Sequence, residues 1–94
     1  MSKKLNINSK VQRNPDLLFH DIDGEIVMLD IEEGRYYGLD MIGSRIWELV
    51  EHPVVISQLI TTLIAEFDVN FENCKNDVMD FLKELALKKL ILVF

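Results

Sequence analysis

With 94 residues, 49% of them hydrophobic and 28% charged, the chain has room for one globular domain with a modest core, not a disordered tail or a large multi-domain enzyme. A formal net charge of −6 excludes binding spread along a phosphate backbone, which needs lysines and arginines. The single cysteine, Cys74, excludes an internal disulfide, so a reducing cytoplasm is the expected location. No apolar run is long enough for a membrane span or a signal peptide.

Residues 1–14 are polar, with isolated Leu5, Ile7 and Val11, and read as a flexible N-terminal arm with at most a short extended piece. Pro15 disfavours helix at Asn14. The remaining residues, 15–94, form the expected domain. Leu17, Leu18 and Phe19 begin a first strand, and Asp23–Gly24 is a two-residue hairpin signal because both residues tolerate positive φ. Glu25–Ile31 is the second strand, Glu32, Glu33 and Gly34 the next turn, and Arg35–Leu39 an aromatic third strand.

The period then changes. Asp40 is placed to cap a helix whose apolar positions are Ile42, Ile46, Trp47 and Val50, and Glu51–His52–Pro53 ends it. Gly43 weakens that helix locally but permits close packing. A second helix, from about Val55 to Phe67, carries Ile56, Leu59, Ile60, Leu63, Ile64 and Phe67 on one stripe. Asn70 is the expected N-cap of a third helix running to about Lys88, with Cys74, Val78, Phe81, Leu82 and Leu85 inward. Leu90–Phe94 reads as a last extended segment or the frayed end of an interface. The order β-β-β-α-α-α predicts an α+β fold, a three-stranded antiparallel sheet followed by a three-helix bundle. Neither half buries its apolar face alone.

Residues able to do chemistry are sparse. His20 and His52 lie in different elements, and no group shows metal-ligand spacing. Cys74 sits on an apolar stripe with no histidine placed in sequence to activate it. The four glycines do not make a phosphate-binding loop. No catalytic residue, cofactor or metal is expected.

Binding is better supported. The third strand has neither proline nor lysine, so as an edge strand it can accept another chain by main-chain hydrogen bonds. Tyr36 and Tyr37 alternate to opposite faces, although plain sheet packing would also explain both. Proline at Tyr37 or Leu39 is expected to remove a ladder N–H that a guest would use. The third helix is the second wall, with Asp77 and Phe81 on one face and Asp77 or Lys83 available for a polar group of the guest. The alternative is that Asp77 and Lys83 are solvated and Phe81 is core.

The run DGEIVMLDIEEGRYYGLDMIGSRIWELV, continued by VISQLITTLIAEFDVNFENCKNDVMDFLKELALKKLI, resembles the PqqD-like proteins, the recognition elements of ribosomally made, modified peptides. The resemblance covers roughly residues 10–93. It implies a winged-helix-like fold, no catalysis, and binding of a precursor's leader segment as an added strand. That leader would be presented to a separate modifying enzyme, a leader peptidase or a radical-SAM protein. Mapped onto this chain, the implied site is Arg35, Tyr36, Tyr37, Gly38 and Leu39 facing Asp77, Val78, Phe81 and Leu82, with Lys83 alongside. The Gly34–Asp40 stretch and the pair Ile46–Trp47 look most like the stand-alone lasso-peptide form, whose partner is a leader peptidase. The competing readings are a winged-helix DNA-binding regulator, opposed by the acidic third helix, and a dimerisation module. No nucleic acid and no membrane are expected as partners, and the chain is expected to be a monomer or a weak homodimer.

Overall fold

The computed structural model describes residues 4–30 and 33–94, with the backbone alone at Asp30. The expected strand end at Ile31 and the turn residue Glu32 lie outside the described residues, as do the first three residues of the arm. In chain order the elements are β1 (Lys10–Arg13), β2 (Phe19–Ile22), β3 (Glu25–Asp30), β4 (Arg35–Gly38), α1 (Met41–Leu49), β5 (Val54–Val55), α2 (Ile56–Phe67), α3 (Phe71–Leu87) and β6 (Ile91–Val93).

The expected sheet is present as β2-β3-β4, antiparallel throughout, with Phe19 opposite Met28 and Met28 opposite Tyr37. Asp23 and Gly24 take φ of 54° and 87°, the positive values that a tight β2–β3 turn requires. Asp40 caps α1 by accepting from the Gly43 N–H at 2.7 Å, and Asn70 caps α3 by accepting from the Asn73 N–H at 3.2 Å. Arg45 of α1 grips Glu66 of α2 through two 2.8 Å bonds, which raises the guanidinium pKa and lowers that of the carboxyl.

A second sheet, β5-β1-β6, was not expected. Its middle strand is Lys10–Arg13, drawn from the segment read as an arm, with Val11 fully buried between Val54 and Val93. The reason is long-range pairing. β1 is four residues long and meets partners some 40 and 80 positions later, so nothing local in its sequence declares it. The extended tail at Leu90–Phe94 is accordingly β6, and the Phe94 N–H donates to the Lys10 carbonyl.

The core lies between the two sheets and the helices. Trp47 is fully buried at its centre and meets Phe19 edge-on at 5.7 Å. The Arg13 guanidinium sits 4.7 Å from the Phe19 ring centre and donates to the Trp47 carbonyl, tying β1 to both α1 and β2. Ser44 is buried with both roles of its hydroxyl used: it donates to the Leu39 carbonyl and accepts from the Ile26 N–H. That pair of bonds fixes α1 against β3 and the end of β4.

Candidate functional site: a strand edge beside a helix

β4 pairs on one side only among the described residues, with β3. Its hydrogen-bonding phase follows from a single bond: the Leu39 N–H donates to the Ile26 carbonyl at 2.8 Å. In an antiparallel ladder, bonded and non-bonded positions alternate, so Arg35, Tyr37 and Leu39 turn their main-chain groups to β3. Tyr36 and Gly38 turn theirs outward. The expectation that Tyr37 and Leu39 supply the guest-facing N–H groups is therefore corrected by one residue. A strand's two edges alternate residue by residue, and only the register decides which set faces which side.

Beside that edge lies an apolar cavity of about 510 Å³. Gly38 and Leu39 form its strand side, and Asp77, Val78 and Phe81 its α3 side. Ile42, Gly43 and Ile46 of α1 form the floor. A Cβ on Gly43 would stand 3.5 Å from Phe81 and 3.1 Å from an Asp40 carboxylate oxygen, so this glycine keeps the floor low. Asn73 and Asp77 supply polar groups at the α3 wall. Cys74 also lines the cavity, and burial, aided by the Asp77 charge, pushes its thiol pKa up, so it is an inert apolar surface at neutral pH.

A smaller cavity of about 190 Å³ continues along the same cleft and shares Gly38, Leu39 and Phe81 with the first. At its end Lys88, the C-cap of α3, donates to the Tyr37 hydroxyl and lies 4.6 Å from the ring centre. The Tyr37 hydroxyl in turn donates to Glu33 at 3.2 Å. Tyr37 is thus half-buried on the inner face, while Tyr36 is 72% exposed on the outer one, as strand alternation requires.

Of the residues singled out in the sequence, Tyr37, Gly38, Leu39, Asp77, Val78 and Phe81 are brought together along this cleft. Arg35 is exposed and lies 3.9 Å from Glu33. Leu82 is fully buried in the core and lines neither cavity, and Lys83 is exposed on the flank of α3. Helical geometry explains both: the cleft-lining arc of α3 and its caps is 70, 73, 74, 77, 78, 81, 84, 85 and 88, and 82 and 83 lie outside it. Extending the Asp77–Phe81 spacing by steps of three and four would have found Asn73, Glu84 and Lys88. The α1 floor carried no such signal, because it reaches the cleft only by tertiary packing. Among the described residues no group of three or more His, Cys, Asp and Glu could hold a metal ion, and no helix is long and apolar enough to cross a membrane.

Among the described residues, two three-stranded sheets and three helices, with the edge strand β4 beside the α3 cleft, make this a small α+β domain of winged-helix-like architecture. The chain belongs to the PqqD family: residues 25–91 match Coenzyme PQQ synthesis protein D (PqqD). Among solved structures it is similar to one described as TbiB1 in complex with the TbiA(beta) leader peptide, with 35% sequence identity and a TM-score of 0.75. The match covers 85% of this chain and 93% of that one. Comparison with curated proteins returns no match.

Proposed function

We propose that this protein is a non-catalytic adaptor that binds the leader segment of a ribosomally made precursor peptide and presents it to a separate modifying enzyme. The observation that carries the reading is the outward-facing backbone of Tyr36 and Gly38 directly beside the 510 Å³ apolar cavity. A guest strand pairs with the four backbone groups of those two residues. Its inward side chains then enter the cleft against Leu39 and Phe81. Main-chain bonds supply affinity without reading sequence, and the cavity supplies selectivity. The likeness to a leader-peptide complex supports this reading.

The finer assignment is to the lasso-peptide type, with a leader peptidase as partner. The Gly34–Asp40 stretch and the pair Ile46–Trp47, read as sequence, support it. The test is fluorescence anisotropy with labelled leader segments from short precursor genes neighbouring this one. Saturable binding, displaced by unlabelled leader, is the expected result. Absence of saturation with every such leader refutes the adaptor reading.

A further inference from the structure

We propose that the outer face of the β2-β3-β4 sheet is the docking surface for the modifying enzyme itself, which seats an apolar centre there and surrounds it with basic side chains. This rests on the leader-binding reading above and adds a second, separate surface to it.

Register determines which side chains are outward. Met28 is buried, so its partners Phe19 and Tyr37 face inward and the alternate positions face out. One outward row is Leu18, Leu29 and Tyr36, since the Leu29 N–H donates to the Leu18 carbonyl and Leu29 pairs with Tyr36. The next is His20, Val27 and Gly38. Ile22, opposite Glu25, completes the face.

The solvated face of an antiparallel sheet is ordinarily polar. Here, among the described residues, His20, Glu25 and the Tyr36 hydroxyl supply the polar groups, while Leu18, Ile22 and Tyr36 are 64%, 57% and 72% exposed. None of the outward apolar residues belongs to the core cluster or packs against it. Core packing therefore does not explain their apolar character, and the face is left open to a partner.

A second copy is the poorer occupant. Three strands about 4.8 Å apart and some five residues long present only roughly 250 Å². A stable interface buries about 800 Å² on each side. Two copies would also bring Glu25, with Asp23 of the adjoining turn, of one toward those of the other, in chains of net charge −6. The patch thus suits the apolar centre of a larger contact whose rim is basic.

Continuity points to which partner. Tyr36 and Gly38 belong to this face by their outward Cα substituents and to the guest site by their outward backbone. A bound leader strand widens the face by one strand, and its alternate side chains lie beside Tyr36. A protein seated here touches adaptor and leader together, as the enzyme acting on that leader must.

The test uses the full chain with two probes: the labelled leader of the neighbouring precursor gene, and the purified modifying enzyme encoded beside it. Leu18→Asp combined with Ile22→Asp alters the residue just before β2, the strand farthest from the guest edge, and the last residue of that strand, and Leu18→Ser is a milder companion. Circular dichroism checks that both remain folded. The expected result is leader affinity within about twofold of the parent, with enzyme affinity for the adaptor–leader complex lowered at least roughly tenfold by the double variant. Enzyme binding by the parent should also weaken with added salt. Enzyme affinity within about twofold of the parent overturns the proposal. So does loss of leader binding in a folded variant, or a parent dimer that the double variant dissolves. Failure of the parent to bind any leader refutes instead the reading on which this one rests.

Discussion

Proline scanning along β4 tests the phase of the strand directly. Gly38→Pro removes an N–H that points away from β3, whereas Leu39→Pro removes the donor of the 2.8 Å bond to Ile26. One main-chain hydrogen bond is worth about 1 kcal/mol net, so Gly38→Pro should weaken leader binding roughly fivefold to tenfold. It should leave the fold nearly intact, because proline is tolerated on an edge strand where its nitrogen faces solvent. Leu39→Pro instead strands the carbonyl of Ile26, a residue only 2% exposed, at a cost of about 1–3 kcal/mol. For a domain of this size that lowers Tm by roughly 5–20 °C. Anisotropy titration and thermal melts by circular dichroism separate the two effects. If Gly38→Pro melts early and binds normally while Leu39→Pro does the reverse, the assigned phase is wrong and the guest does not use these groups.

Trp47→Ala removes a fully buried ring packed on Phe19 and Arg13 and should cost about 3–5 kcal/mol, enough to unfold much of a marginal domain; loss of the cooperative melt is the readout. Gly43→Leu projects a side chain toward Phe81 across the cavity floor, so leader affinity should fall at least roughly tenfold while the helical signal persists. Cys74 should resist alkylation at pH 8 in the folded protein and react quickly once denaturant is added, since burial holds the thiol neutral. Because its folded pKa lies above the ordinary value of 9.0, the folded state holds that proton more tightly than the unfolded one. Stability from this group is complete below about pH 9 and declines as pH rises further; a Cys74→Ala variant should lose that alkaline slope in a melt-versus-pH series.

Much of this protein was legible from local chemistry. Asp23–Gly24 marks a hairpin because few pairs accept two positive φ values in succession, and Asp40 and Asn70 mark helix starts because their side chains satisfy backbone N–H groups three residues on. The stripes of α2 and α3 announce their buried faces, and the position of an aromatic strand before α1 identifies the likeness to PqqD. Those signals share one property: each acts between residues a few positions apart.

What packing alone decided lies at longer range. β1 exists only because residues 54–55 and 91–93 arrive to pair with it, so its four residues read as an arm until the chain has folded. The outward phase of Tyr36 and Gly38 depends on which β3 residue meets Leu39, and a shift of one residue would exchange every guest-facing group for a β3-facing one. The cavity floor needs Gly43 to come near Phe81, 38 positions later, and Ser44 to hold α1 against β3. Helical and strand periods are written in neighbouring side chains, but register and approach are set by the collective fit of the whole core.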